Sequence, residues 1–447
     1  MAYSPHTEAD HQRMLAAVGV GSIEDLFADI PSAVRATRFE VPPPLTEQEV
    51  RAELSRLAGR NRIPQVSFLG AGAYRHLVPS VVMEVIGRSE FATSYTPYQP
   101  EVSQGTLQSI YEFQSLICEL TGMEVASASH YDGATATAEA ALMACRLTHR
   151  DRIAVSSAVA PQVRAVLATY CSGPGLEIVE VPADLAEGGS GLTPVEAAER
   201  VLDDGFACLV AQQPNFFGGI EPMRELADAA HAVGAQLVAV VEPTSLALLT
   251  PPGDDGADIV AAEGQPLGIP LSYGGPYVGL MAARMSSVRQ MPGRLVGATR
   301  DADGRKGYVL TLQAREQHIR REKAASNICT NQALCALAAT AYLTAVGPGG
   351  LREVAELSVA QARHLAGAIE AADLGRRRFS APYFAEVAIS LPDAERRHAA
   401  LTERGIVAGY PLGRDYPELA GTLLLAATEL TTDEEVSALV EALAEVT

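Results

Sequence analysis

The chain has 447 residues, of which 48% are hydrophobic and 20% are charged, so it is long enough for a large domain and a smaller one. Its net charge of -20 argues against nucleic acid or an anionic membrane surface as a partner. Six cysteines with no C-x-x-C pair among them predict reduced thiols rather than a metal centre or a disulfide framework.

The first sixty residues predict a helical arm. Thr7 with Asp10, and Thr46 with Glu49, have the spacing of N-terminal capping boxes, and Gly59 is placed to end the second helix. The N-terminal residues lack the basic and apolar regions of a signal peptide, so we expect a cytoplasmic protein. We assign residues 1–62 to this arm.

Alternating helices and strands begin near residue 104 and predict a large α/β domain over residues 63–330. A helix-forming stretch, ATATAEAALMACRL, covers 134–147. Short apolar strands without polar alternation are typical of a mostly parallel sheet covered on both faces. Thr193 and Pro194 predict the cap and first residue of an intervening helix. The predicted strands are RIAVSS (152–157), LEIVEV (176–181), FACLVAQ (206–212), AQLVAVVE (235–242) and ADIVAAE (257–263).

The pattern changes after the last of these strands. RDADGRK, between two apolar runs, predicts a hairpin with an Asp-Gly turn. Residues 331–447 predict a small C-terminal α+β domain with the strand 384–391 and a helix after Thr432. Its apolar run 333–346 is too short to span a bilayer and predicts a buried helix.

Pyridoxal phosphate enzymes on such a sheet need helix amides for the phosphate, a carboxylate for the pyridine nitrogen and a lysine for the Schiff base. Gly133 and Thr135 in DGATAT are candidates for the first requirement, and Glu242 at a strand end is a candidate for the second. A helix start packed on the sheet and an ordinary polar strand end are the alternative interpretations.

The third requirement is missing. The loop AAEGQPLGIPLSYGGP holds Gln265 about where the lysine is expected, and an amide cannot form an imine. The two lysines of the chain, Lys306 and Lys323, come later, around the predicted hairpin and beyond it. The sequence therefore predicts no catalytic residue and no covalently bound cofactor on this chain.

Two further patterns carry less information. GAGAY (70–74) begins like a dinucleotide fingerprint, but Arg75 occupies the third glycine position, which argues against nucleotide binding. Residues 284–323 hold ten basic side chains against four acidic ones, which fits either a solvated face or an interface for an acidic partner.

Four long strings resemble the P-protein family of the glycine cleavage system, and in particular the first (alpha) subunit of its two-chain form. They lie at 95–114, 256–279, 289–334 and 409–419, and include YTPYQPEVSQGTLQSIYEFQ and GYPLGRDYPEL. The resemblance implies the aspartate aminotransferase-like fold (fold type I) and an α2β2 tetramer with a homologous beta subunit. It also implies that the lysine and the pyridoxal phosphate belong to the beta subunit.

The implied reaction is the decarboxylation of glycine and the transfer of its aminomethyl group to the lipoyl arm of the H-protein. The T- and L-proteins would be indirect partners. The resemblance also implies that this chain supplies part of the wall of the partner's active site, although packing of an aromatic loop is the alternative. The wall candidates are Gly72, Tyr74, Tyr95, Tyr98 and Gln99.

Two other functions stay open on the sequence. One is a self-sufficient pyridoxal phosphate enzyme, such as an aldolase or an amino-acid decarboxylase, in which Lys306 or Lys323 reaches the cofactor. The other is a scaffold or regulatory protein without enzymatic activity. The residues predict no metal site under any of these hypotheses.

Overall fold

The structure, a computed structural model, describes residues 5–36 and 40–446. The chain divides into two compact units, Met1–Arg62 and Ile63–Thr447. The α-helices are α1 Glu8–Val18, α2 Glu47–Ala58, α3 Ser80–Gly87, α4 Ser89–Ala92, α5 Gln104–Thr121, α6 Gly133–Thr148, α7 Pro161–Ser172, α8 Val195–Val201, α9 Met223–Ala232, α10 Gln317–Arg320, α11 Ala333–Ala371, α12 Ala394–Glu403 and α13 Asp433–Glu445.

The strands are short, and most lie in the second unit's two larger sheets. They are β1 Val66–Ser67, β2 Val125–Ala126, β3 Arg152–Ser156, β4 Glu177–Val181, β5 Phe206–Gln213, β6 Gln236–Val241, β7 Ile259–Glu263, β8 Gly279–Ala283, β9 Leu295–Arg300, β10 Lys306–Thr311, β11 Arg376–Arg377, β12 Glu386–Ser390, β13 Ile406–Val407, β14 Tyr410–Pro411 and β15 Thr422–Ala426.

The first unit contains the two predicted arm helices. Both capping boxes are present, with Asp10 N–H donating to Thr7 Oγ1 and Glu49 N–H donating to Thr46 Oγ1, and α2 ends at Gly59. Among the described residues of this unit, Leu15 alone is buried. Local capping therefore accounts for these helices better than packing within the arm does.

A seven-stranded sheet in the order β2-β8-β7-β6-β5-β3-β4 forms the centre of the second unit. Neighbours from β7 to β4 pair in parallel, and β8 pairs antiparallel with both β7 and β2. Successive residues of β5 alternate between two hydrophobic cores, so that Leu209 and Val210 lie on opposite faces. This confirms the mostly parallel sheet that the apolar strands predict.

The predicted hairpin is also present. β9 and β10 pair antiparallel, and the turn places Gly304 at a φ of 81°, a value that favours glycine. Asp301 holds the turn by accepting hydrogen bonds from the amides of Asp303 and Arg305. The Asp-Gly signal therefore identified this turn correctly.

The prediction for Thr193 and Pro194 was wrong. Helix α8 starts one residue later, at Val195, with no side-chain cap. The Thr193 hydroxyl instead donates to the buried carboxylate of Glu221 and contacts Ser156 Oγ at 2.6 Å. Tertiary partners thus outcompeted the local cap.

The C-terminal part forms a four-stranded antiparallel sheet in the order β11-β12-β15-β14, packed against α12, α13 and the second half of α11. The predicted boundary between the two domains lies between residues 330 and 331. Two segments pack with the domain on the other side of it. Strand β1 pairs in parallel with β13, so Val66 lies in the C-terminal core. Conversely, the first half of α11 packs in a core of the large sheet.

Helix α11 has 39 residues, far more than the apolar run from which it was predicted. Its backbone leaves the helical conformation at Gly347, immediately before Pro348. Within the described residues it is the one helix whose length and mean hydropathy would allow a membrane span. Ala336, Tyr342 and Leu351 pack in a core of the large sheet, whereas Ala362, Leu365 and Ile369 pack in the C-terminal core, as expected of a core helix.

Candidate functional site

A cavity of ≈ 380 Å³ lies at the carboxyl ends of β6 and β7, facing the start of α6. Ligands of open α/β sheets bind at this edge because the strands end there and the helices begin there. The cavity brings together predicted site residues from distant parts of the chain, namely Gly72, Tyr74, Gly133 and Glu242. Gln265 lies between two lining residues of the same loop region, Glu263 and Pro266.

The N-terminus of α6 is capped by carboxylates of this chain. The Gly133 amide donates to Glu263 Oε2 at 2.9 Å, and the Thr135 amide donates to Asp132 Oδ1 at 2.7 Å. A Cβ at Gly133 would lie 2.6 Å from the Glu263 amide nitrogen, so only glycine allows this approach. Two of the first-turn amides that a phosphate would need, those of Gly133 and Thr135, thus already donate to carboxyl groups.

Glu242 also has a local role. Its carboxylate accepts hydrogen bonds from the amides of Thr244 at 3.0 Å and Ser245 at 2.7 Å, which caps the turn that follows β6. Burial raises the pKa of its carboxyl group. The side chain is therefore committed to the backbone beside it.

Gln265, at 1% exposure, uses its whole amide group. Its Oε1 accepts from the Tyr74 amide at 2.8 Å, while its Nε2 donates to the carbonyls of Tyr74 at 2.9 Å and Ile269 at 2.8 Å. A lysine ammonium can donate such bonds but cannot accept one. Gln265 therefore both accepts from and donates to the backbone of a distant segment.

We call this segment, residues 70–77, the strap. Carboxylates of the C-terminal part hold it from the other side. Glu386 accepts from the Ala71 amide at 2.7 Å and from the Tyr74 hydroxyl at 2.8 Å. Glu429 accepts from the Leu77 amide at 2.7 Å and lies 2.6 Å from His76 Nδ1. The strap is thus fixed to both the large sheet and the smaller one.

The described lining of the cavity offers no lysine or arginine to an anionic cofactor. Its ionisable groups include Asp132, Glu242 and Glu263. Burial raises the pKa of Glu263 to about 7, and that of Glu386, behind the strap, also to about 7. These residues do not fit pyridoxal phosphate, which needs a cation or free amides for its phosphate and a lysine for its aldehyde.

The predicted wall residues separate into two groups. Gly72 and Tyr74 belong to the strap and line the cavity of this chain. Tyr95 and Tyr98 are instead 75% and 45% exposed, and Gln99 beside them is also exposed. The hydroxyls of Tyr74 and Tyr98 are both bonded within this chain, to Glu386 and to Arg294 respectively, but the loop of Tyr95 and Tyr98 is the exposed one.

Sequence reasoning missed the carboxylates Asp132 and Glu263, which line the cavity, and Glu386, which lies behind the strap. Asp132 has capping-box spacing to Thr135, and Glu263 ends β7 as Glu242 follows β6, so both carried a local signal. Glu386 carried none, because its partners lie more than 300 positions earlier. Among the described residues, no group of three or more His, Cys, Asp or Glu side chains is placed to hold a metal ion.

The sheet order, the strand-end cavity and the smaller sheet define a pyridoxal phosphate-dependent transferase fold of type I. Two solved structures show the same fold at low identity. A Burkholderia pseudomallei sphingosine-1-phosphate lyase is 16% identical with a TM-score of 0.67 and covers 93% of each chain. A NifS-like protein is 14% identical with a TM-score of 0.61 and covers 85% of this chain and 98% of its own.

The chain belongs to the glycine cleavage system P-protein family, whose model matches residues 1–443. It is 54% identical to a probable glycine dehydrogenase (decarboxylating) subunit 1 of Moorella thermoacetica, covering 99% of both chains. It is 52% identical to the same subunit of Thermomicrobium roseum over 100% of both. A crystal structure of an inhibitor-bound glycine decarboxylase (P-protein) superposes with a TM-score of 0.92 at 46% identity, covering 100% of both chains.

Proposed function

We propose that this chain is the alpha subunit of a two-chain glycine decarboxylase and carries no pyridoxal phosphate itself. With a homologous, lysine-bearing beta subunit it would decarboxylate glycine and pass the aminomethyl group to the lipoyl arm of the H-protein in the cytoplasm. Full-length similarity to proteins named subunit 1 supports the role. The observation that carries the division of labour is Gln265, which is clamped to the strap where the fold expects a lysine.

The cofactor assignment makes a direct prediction. The isolated chain, mixed with pyridoxal phosphate and reduced with borohydride, should retain no covalently fixed cofactor. Gln265→Lys alone should not restore decarboxylation, because Asp132 and Glu263 still occupy the helix amides. Absorption spectra and peptide mass spectrometry measure both outcomes, and cofactor fixed to Lys306 or Lys323 would refute the assignment.

The surface supports a protein partner. Between β1 and α5, large apolar side chains remain exposed. A groove of ≈ 420 Å³ runs among α3, α5 and α11. Exposed apolar side chains beside such a groove are typical of a surface that another protein covers when they form one contiguous patch. The exposed apolar residues of this region are Leu69, Leu77, Val81, Met83, Tyr95, Tyr98 and Val102.

The partner proposal is tested by reconstitution. We expect the chain alone to self-associate and to be inactive, and its mixture with the beta subunit to give a defined α2β2 species. That species should exchange carbon dioxide with the glycine carboxyl group efficiently when H-protein is supplied. Light scattering and the exchange assay on each chain and on the mixture decide it. Full activity from the beta subunit alone would overturn the role.

The alternative of a self-sufficient enzyme receives no support from the positions of the lysines. Neither Lys306 nor Lys323 lines the cavity, and both side chains are exposed. The Lys306 ammonium lies over the rings of Tyr111 and Tyr308, at 5.8 and 5.2 Å from their centres. The scaffold alternative predicts that the exchange activity of the beta subunit is independent of this chain.

A further inference from the structure

A second cleft, of ≈ 630 Å³, lies at the edge of the C-terminal sheet. Its described lining comes from residues 187–188, 373–378, 390–392 and 418–422, and it shares none of these with the strand-end cavity. Small-molecule sites in proteins usually have volumes of about 300–1,000 Å³. The cleft is therefore a separate candidate site that the chain forms by itself.

One wall of this cleft is basic. Arg376 and Arg377 form the edge strand β11, and Arg378 continues its pairing by donating its amide to the Ala388 carbonyl at 2.8 Å. Because side chains alternate along a strand, Arg376 and Arg378 lie on one face and Arg377 on the other. Arg377 pairs with Glu370, its Nε lying 3.1 Å from Oε1. Arg376 and Arg378 are therefore the two guanidinium groups that can serve a ligand.

These two groups have more hydrogen-bond donors than acceptors around them. Among the described residues, the Arg376 side chain has no hydrogen bond or ion pair. Arg378 Nη2 donates to the Leu185 carbonyl at 2.9 Å, which fixes the side chain, while its Nε is buried without a partner. The N–H groups of a guanidinium match the two oxygens of a carboxylate in geometry. Both arginines thus keep donors for an acidic ligand group.

Hydroxyl groups continue the same row across the sheet. Arg376 is opposite Ser390 on β12, and Ser390 is opposite Thr422 on β15. The hydroxyls of Ser390 and Thr422 lie 3.4 Å apart, and both residues line the cleft. A cation and two hydroxyl groups therefore lie side by side on one face of the sheet, and all of them can donate to a carboxylate.

The other walls of the cleft are acidic. Glu187 lies in the loop after β4, Glu418 lies between β14 and β15, and Asp373 follows α11. Among the described residues, none of these three carboxylates has a hydrogen bond or an ion pair. Opposite charges thus line one cleft without contacting each other. A ligand that carries both charges satisfies both sets, whereas a simple anion meets the carboxylates and a simple amine meets the arginines.

We propose that this cleft binds a free α-amino acid as its zwitterion, with Arg376 and Arg378 on the carboxylate and Glu187 and Glu418 on the ammonium group. Ser390 adds a hydroxyl donor beside Arg376. The lining leaves room for a side chain, because an amino acid fills only part of the cleft. The inference goes beyond the proposed function and does not depend on a second subunit, since this chain supplies every residue that it names.

Calorimetry and saturation-transfer NMR on the full chain test the proposal, with L-alanine as the probe. Propionate lacks its ammonium group and ethylamine lacks its carboxylate, so each should bind roughly tenfold more weakly than L-alanine or not at all. Arg376→Gln should weaken L-alanine binding by a similar factor, and so should Glu187→Gln combined with Glu418→Gln. These three side chains are exposed, so the variants should unfold at the same denaturant concentration as the wild type.

Arg352→Gln is the matched control, because Arg352 is an exposed arginine of α11 that lies outside the cleft, near Glu356. It should bind L-alanine as the wild type does. Absence of L-alanine binding by the wild type, equal binding of propionate or ethylamine, or wild-type affinity in Arg376→Gln overturns the inference. None of these results bears on the proposed function, which the reconstitution with the beta subunit tests separately.

Discussion

The cavity region and the exposed loop of Tyr95 and Tyr98 use polar side chains in opposite ways. At the cavity, Gln265, Glu263 and Asp132 bind the backbone of their own chain, which leaves few free donors for a ligand. At the loop, buried Arg294 donates to the hydroxyl of Tyr98, whose side chain stays at the surface. Substitutions at the cavity should therefore reduce stability, whereas substitutions in the exposed loop should reduce the activity of the complex.

The largest expected effect comes from the exposed loop. Tyr95→Ala together with Tyr98→Ala should lower glycine decarboxylation and aminomethyl transfer by a hundredfold or more, on the order expected when reacting groups lose their alignment. The variant must first be shown to assemble with the beta subunit by light scattering. Unchanged rates in a normally assembled complex would show that these tyrosines only pack, and the comparison between the two regions would fail.

An effect on stability is expected from Gln265→Ala. It removes three buried hydrogen bonds, each worth about 1 kcal/mol, and leaves an unfilled space, so the free energy of unfolding should fall by roughly 2–4 kcal/mol. Denaturant unfolding of the isolated chain measures it. Gln108→Ala, at an exposed helix position, is the control and should change little. Equal stability of the two variants would show that the clamp on the strap is weak.

A smaller effect, with a defined sign, comes from Glu386. Burial raises its pKa from 4.5 to about 7, so the folded protein holds this proton more tightly than the unfolded chain does. Its stabilising contribution is present below pH 4.5 and is lost as the pH rises through about 7. The glutamine of Glu386→Gln cannot ionise. As the pH rises through this range, the free energy of unfolding of the variant should therefore fall less than that of the wild type, by on the order of 1–3 kcal/mol.

Denaturant unfolding at several pH values checks this prediction, with Glu119→Gln, on the exposed face of α5, as the control. Burial also raises the pKa of Glu263, which remains in the variant. Some loss of stability with rising pH should therefore persist. A Glu386→Gln profile that runs parallel to the wild-type profile would show that the strap tolerates the charged carboxylate.

The sequence predicted local features well, because they depend on neighbouring residues. The capping boxes, the Asp-Gly hairpin and the apolar strands are all decided within a few positions of the chain. The glutamine in the loop after β7 was visible for the same reason, and its assignment to the lysine position stays a prediction. The bonds of Gln265 were not, because its partner Tyr74 lies 191 positions away.

Long-range contacts also explain the errors and the omissions. Thr193 has the pattern of a cap, but buried Glu221 attracts its hydroxyl more effectively. Arg294 was counted with surface arginines because nothing near it in the sequence reveals Glu316 as a buried partner. Charge counts along a chain cannot distinguish solvated charged side chains from buried ones that lie beside an opposite charge.

The pairing of β1 with β13 has a consequence for folding while the chain is being translated on the ribosome. Val66 is opposite Ile406, so its strand partner is translated 340 positions later (406 − 66). At about 5–20 residues per second, the nascent strap waits roughly 20–70 s for the carboxylates of the C-terminal part to emerge. During that interval Leu77 of the strap and the adjacent Leu69 are open to chaperones and to wrong pairings. The order of synthesis therefore leaves exposed for longest a segment that the finished protein fixes from both sides.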